Sequence, residues 1–155
     1  MTVLFLKNLL FTLFVPGTVA VYIPLRLTND LPAPSLAAHL ASLPFFVVGC
    51  LIYGWCVWDF ATFGGGTPLP IDAPKKLVVR GLYRYTRNPM YVGVLTTTLA
   101  WAVRYHAPEI ILYAVAVWLL FHSFIMLYEE PHLQRTFGDE YTRYRAQVGR
   151  WLPRL

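Results

Sequence analysis

The chain has 155 residues, of which 57% are hydrophobic and 14% charged, with a mean hydropathy of +0.50 and a formal net charge of +5. So short a chain cannot hide that much apolar surface within itself, because the fraction buried on folding is limited by size; a soluble domain is excluded and an all-α integral membrane fold is expected. The positive charge is no sign of nucleic-acid binding, since the Lys and Arg residues flank apolar runs and form no separate basic stripe.

A helix crossing a hydrocarbon core of about 30 Å takes roughly 20 residues. Four stretches suit: Val3 to Leu25, Leu36 to Phe60, Pro89 to Tyr105 and Ala107 to Tyr128. They leave no room for a soluble domain, so residues 1–155 read as a single membrane domain. In the first stretch, Lys7 before an apolar run and Thr18-Val19-Ala20 resemble a signal peptide with its cleavage site, but the positive region is thin. Pro16 and Gly17 more simply mark a kink within a span.

In the second stretch, Cys50 and Cys56 lie six residues apart and so on different helix faces, as packing residues with no CxxC pairing. His39, His106, His122 and His132 are scattered without ligand spacing, and no metal is expected. The connection 61–88 contains Gly64-Gly65-Gly66-Thr67-Pro68-Leu69-Pro70, which lacks the endings of a P-loop or a Rossmann turn. It reads as a turn followed by a stiff proline segment along the membrane surface, or as a lid over a site.

Lys75, Lys76, Arg80, Arg84 and Arg87 fall in this connection, and Arg135, Arg143, Arg145, Arg150 and Arg154 follow the fourth stretch; the other two loops hold Arg26 and Arg104. The positive-inside rule then places the central loop and both termini in the cytoplasm, next to anionic headgroups.

The third stretch opens with Gly-Leu-Tyr-Arg-Tyr-Thr-Arg-Asn-Pro-Met-Tyr-Val-Gly at 81–93. Asn88 can cap a helix and Pro89 suits its first turn, so the free amides there, with Arg84 and Arg87 beside them, could receive an anionic group. Tyr83, Tyr85 and Tyr91 read as an interfacial belt or as rings for a cation.

The fourth stretch ends on Glu129-Glu130-Pro131-His132-Leu133. Two acids at a helix C-terminus beside lipid need a cation or donors, unless Pro131 starts a new helix and they pair with Arg87 or Arg84. Beyond Pro131 the apolar positions Leu133, Phe137, Tyr141, Tyr144, Val148 and Leu152 predict an amphipathic interfacial helix over 131–152, bent at Gly138.

Arg-Asn-Pro-Met-Tyr-Val-Gly at 87–93, followed by Glu-Glu-Pro-His-Leu at 129–133 and then Phe137-Gly138, Tyr141, Tyr144 and Pro153, resembles the integral-membrane methyltransferases, which include the isoprenylcysteine carboxyl methyltransferases and the phospholipid N-methyltransferases. The resemblance covers Lys75 to Pro153. It implies an S-adenosylmethionine site on the cytosolic side. Lys76, Leu77, Val78, Gly81 and Tyr83 would make backbone or stacking contacts, and Arg87, Asn88, Pro89 and Tyr91 would form the helix-start part of the pocket. Glu129 and Glu130 would hold the ammonium or ribose end.

The isoprenylcysteine branch has His where this chain has Asn88, and an Arg one turn before the acids, where this chain has Phe124-Ile125-Met126-Leu127. The resemblance therefore favours a phospholipid amine over a prenylcysteine carboxylate as acceptor. Methyl transfer from a sulfonium needs alignment and exclusion of water more than acid–base groups. For an amine acceptor Glu129, Glu130 and His132 are weak candidates as base. Membrane lipids are the expected partners. A sterol-type NAD(P)H reductase and a non-enzymatic scaffold are the competing readings.

Overall fold

The computed structural model describes residues 2–64 and 76–154. Residues 65–75, which hold most of the expected glycine turn, its prolines and Lys75, lie outside the described residues. Among the described residues there is no strand, and the chain passes from helix to helix.

Helix α1 (Thr2–Phe14) continues through a π-helical turn at Thr18–Tyr22 into the short α2 (Ile23–Leu27). The kink expected at Pro16-Gly17 takes this form, because proline has no N–H to continue the ladder and the following turn widens. The carbonyls of the widened turn are used by other helices: Trp101 Nε1 donates to Ala20 O at 2.9 Å and the Tyr113 hydroxyl to Val19 O at 2.9 Å. Helix α3 (Leu36–Asp59) starts at Ser35, whose hydroxyl accepts the Ala38 amide, and runs on through a π-helical turn to Gly64.

Helices α4 (Pro89–Tyr105) and α5 (Pro108–Phe124) each carry proline in the first turn, where no N–H is missed. They are joined by His106, in the left-handed region at φ 51°. From α5 a π-helical turn at Ile125–Glu129 leads into α6 (Glu130–Gln147), which bends where Gly138 takes φ 51° and ψ −121°. The bend expected at Gly138 is present. The C-terminal helix stops short of residue 152: Val148 is extended, and residues 148–152 turn back as a strap.

Among the described residues, three helical stretches are long and apolar enough to cross a membrane: Leu9–Leu27, Leu36–Gly64 and Pro108–Gln147. The expected third span, α4, has 17 residues and is the most enclosed, with Met90, Gly93, Val94, Thr97, Thr98, Ala100 and Ala102 buried. Its inward-facing threonines satisfy themselves on their own helix: Thr97 and Thr98 hydroxyls donate to Gly93 O and Val94 O. Helices α3 and α4 meet backbone to backbone at Gly49 and Gly93. A Cβ on Gly49 would stand 2.8 Å from Gly93 O, and one on Gly93 would stand 2.9 Å from Gly49 O. Small residues allow this approach, which suits helix association in lipid.

Between α3 and α4 a 3₁₀ turn, Gly81–Arg84, carries Tyr83 into a cluster with Cys56, Val78 and Met90. Gly81 holds φ 52°, and a Cβ there would press on Asp59 Oδ2 and stand 2.7 Å from Trp55 Nε1. Gly81→Ala is therefore expected to cost about 2 kcal/mol, from left-handed strain plus crowding, read as a lower melting temperature in detergent.

Candidate functional site

The start of α4, the start of α6 and the C-terminal strap converge. Glu130, the first residue of α6, is 9% exposed and receives two guanidinium groups. Arg87 Nη1 lies 2.9 Å from Oε1, and Arg150 binds both oxygens, Nε to Oε1 at 2.7 Å and Nη2 to Oε2 at 3.0 Å. A fork-to-fork pair with a second cation is strong charge compensation for an acid out of water. The Glu130 carboxylate in turn holds the Arg150 guanidinium even more firmly protonated than usual.

Glu129 faces a different partner. Tyr91, one turn into α4, donates its hydroxyl to Glu129 Oε2 at 2.9 Å, and its ring packs on Phe121 with centroids 4.6 Å apart. The two adjacent acids are thus unlike: one is neutralised by arginines, the other held by a neutral phenol. Tyr91→Phe is expected to cost about 2 kcal/mol of stability, for one hydrogen bond to a carboxylate, measured by melting against the parent protein.

Asn88 occupies the capping position of α4, yet its side chain caps nothing there. Its Nδ2 donates instead to Arg150 O at 3.0 Å, beside Thr86 Oγ1, which donates to the same carbonyl at 3.0 Å. Arg87 N donates to Gly149 O at 2.9 Å, and Thr86 and Gly149 form an isolated parallel bridge. Trp151 anchors the strap on α5 by donating Nε1 to His122 Nδ1 at 3.0 Å. The capping expectation for Asn88 gives way because the returning strap offers the Arg150 carbonyl, which accepts from both Asn88 and Thr86.

A floor of tyrosines lies beneath. Tyr141 accepts from Arg87 Nη1 at 3.1 Å, and the Tyr144 hydroxyl donates to Tyr83 O at 2.8 Å. Burial pushes the Tyr83 phenol far above its usual range, so it stays neutral. Leu77 packs on Tyr141, Tyr144 and Val148, while Val78 and Tyr83 lie in the cluster at the end of α3.

Of the residues singled out in the sequence, Arg87, Asn88, Glu129 and Glu130 line one small cavity of about 20 Å³ with Ile125, Leu133, Tyr141 and Tyr144. Tyr91 reaches it through Glu129, and Pro89 is buried at the helix start. Leu77, Val78, Gly81 and Tyr83 lie along the connection that supports it. Lys76 is exposed. His132 stacks on Tyr128, with centroids 6.0 Å apart, and is not among the cavity's lining residues. Cys50 is exposed and Cys56 buried, both as free thiols, and no metal-binding group of His, Cys, Asp or Glu occurs among the described residues.

Arg150 is the site residue that sequence reasoning missed; it counted only as one of the basic residues flanking the last span. The available signal was the demand of Glu130 itself, since a buried acid beside lipid calls for more than one donor.

Comparison with known proteins supplies the family. The chain is 37% identical over 79 residues to protein-S-isoprenylcysteine O-methyltransferase B of Arabidopsis thaliana, covering 50% of this chain and 40% of that protein. It is 35% identical over 95 residues to phosphatidylethanolamine N-methyltransferase of Schizosaccharomyces pombe, covering 56% of this chain and 9% of that protein. With the protein-S-isoprenylcysteine O-methyltransferase of Rattus norvegicus it shares 31% identity over 110 residues, 66% of this chain and 38% of the relative. The chain thus spans less than half the length of these named relatives. No solved structure matches it significantly. Residues 37–140, which run from the first turn of α3 to the middle of α6 and include Arg87, Glu129 and Glu130 but not Arg150, match the description phospholipid methyltransferase, and the chain belongs to that family.

Proposed function

We propose that this protein is an S-adenosylmethionine-dependent membrane methyltransferase whose acceptor is an amine-bearing lipid. The observation that carries the reading is the meeting of Arg87, Asn88, Glu129 and Glu130 around one cavity in a chain of this family. The arrangement suits the amino-acid end of the cofactor: the acids offer acceptors for its ammonium, and the buried Nε of Arg87, which has no hydrogen-bond partner among the described residues, offers a donor for its carboxylate. When bound, the cofactor supplies a methyl group on a positively charged sulfur. The protein's part is to hold the acceptor in line and keep water out.

A cavity of about 20 Å³ admits about one water molecule. Binding at this place therefore asks Arg150 to release Glu130, exchanging one set of charged partners for another. The absence of an Arg one turn before the acids, where Ile125, Met126 and Leu127 stand, favours an amine over a carboxylate acceptor. In the membrane, α4 acts as a fourth, enclosed span, the connection before it and both termini face the cytoplasm, and α6 lies along the interface.

The test is to incubate the protein in detergent–lipid micelles with methyl-labelled S-adenosylmethionine and a total lipid extract. Label in the aminophospholipid fraction is the expected result. Label confined to protein or to small molecules would overturn the lipid acceptor. A melting temperature raised by NADPH and not by S-adenosylhomocysteine would overturn the methyltransferase reading in favour of a reductase.

A further inference from the structure

At the end of α3, one carboxylate lies almost wholly out of water without a hydrogen bond from any described residue to either oxygen. Asp59 is 1% exposed, and neither Oδ1 nor Oδ2 accepts a hydrogen bond from the described residues. Arg80 Nε stands 3.1 Å from Oδ1, close enough for charge attraction but not aligned to donate. The Arg80 guanidinium lies over the Phe63 ring, 3.3 Å from its centroid, and its side chain is 40% exposed. Leaving a buried acid this poorly satisfied is costly, and near the membrane such a residue marks a binding function more often than a packing one.

The space beside it has a shape to match. Leu51, Trp55, Trp58, Asp59 and Arg80 line a cleft of about 370 Å³. Leu51, Trp55 and Trp58 are 66%, 56% and 67% exposed, so the cleft opens on the apolar outer face of α3. The tryptophans sit in the last two turns of a long apolar helix, the level at which aromatic residues meet headgroups. The cleft therefore presents acyl-chain surface at Leu51, indole walls above it, and a carboxylate beside a guanidinium at the top.

We propose that this cleft binds the headgroup of an aminophospholipid drawn from the bilayer, with Asp59 receiving the primary ammonium and the outward nitrogens of Arg80 the phosphate. Charge complementarity selects a zwitterion, since the acid and the arginine offer one charge of each sign. The unsatisfied oxygens select further. They need N–H donors, which a primary ammonium has and a quaternary ammonium lacks. The site is separate from the Glu130 cavity: Gly81 backs onto Asp59 and Trp55, whereas the next turn meets the C-terminal helix through the Tyr83 carbonyl. The proposal needs the membrane setting but not methyl transfer, and it is read without any methyl donor.

The experiment is native mass spectrometry of the full chain in detergent, titrated with lipids of identical acyl chains. The headgroups run from ethanolamine through its N-monomethyl and N,N-dimethyl forms to choline, with glycerol as an anionic control. Affinity is expected to fall at each methylation, with ethanolamine about tenfold tighter than choline, as the N–H donors are lost. Asp59→Asn should abolish that gradient while leaving the glycerol lipid unchanged. The headgroup series on the unaltered protein does not depend on the variant folding. Equal retention of all headgroups, or affinity that rises with methylation as an indole cage for a quaternary cation would give, would overturn the proposal. So would a gradient that survives in folded Asp59→Asn. A protein that shows the gradient but transfers no methyl to lipid would keep this site and remove the proposed acceptor.

Discussion

Gly49→Val is expected to unfold the α3–α4 pair in detergent. The added carbons enter a space where even a Cβ would stand 2.8 Å from both Gly93 O and Thr97 N. Those neighbours are backbone atoms in the middle of a helix, so relief requires the helices to separate. Overpacking of this kind costs about 3 kcal/mol or more when the obstruction is main chain. Separation also removes the shelter of Thr97, whose hydroxyl is turned inward onto Gly93 O. The check is thermal unfolding followed by circular dichroism or tryptophan emission. Gly54→Val on the same helix, where a Cβ meets nothing within 4 Å, should change the melting temperature little.

Glu130→Gln should show the second large effect, on binding as well as on stability. The substitution keeps shape and removes the charge that both Arg87 and Arg150 answer. Breaking a buried pair by removing one partner strands the other, and here two guanidinium groups are stranded. Arg150 is 29% exposed along its side chain and can turn to water, whereas Arg87 at 8% cannot. The expected loss is about 3 kcal/mol, most of it from Arg87. Under the proposed function, the Kd for S-adenosylhomocysteine should also rise roughly 30-fold, equivalent to about 2 kcal/mol for one charged contact. Calorimetric titration of variant that retains its helical spectrum checks this. Unchanged affinity in folded Glu130→Gln would place the cofactor elsewhere.

Much of the fold could be read because membrane helices declare themselves by length. The apolar runs, Pro89 opening α4 and Gly138 within α6 each have a local physical meaning that survives into the structure. Pairing of the acids with Arg87 or Arg84 was one of the readings left open in the sequence, and it is Arg87 that meets Glu130 at the start of α6. What could not be read depends on the chain reversing direction. Until Val148 is seen to be extended, Arg150 is one more basic residue on an amphipathic helix, and Asn88 is an ordinary cap. The Gly49–Gly93 contact was hidden for a related reason: two glycines in separate spans mark an interface only once the register between those spans is known. Asp59 lies inside the expected second span, and nothing local says that its oxygens lack donors.

The strap has a kinetic meaning as well as a structural one. Its contacts join Arg150 to Thr86 and Asn88, residues 64 and 62 positions away, so closing it spends the entropy of a long loop that neighbouring helices have largely ordered beforehand. The strap is accordingly expected to open before α3 and α4 part. The Arg87 amide, bonded to Gly149 O and to no helix carbonyl, is a natural clock for that event: its hydrogen exchange measures how often the C-terminal segment lifts while the rest of the protein stays folded.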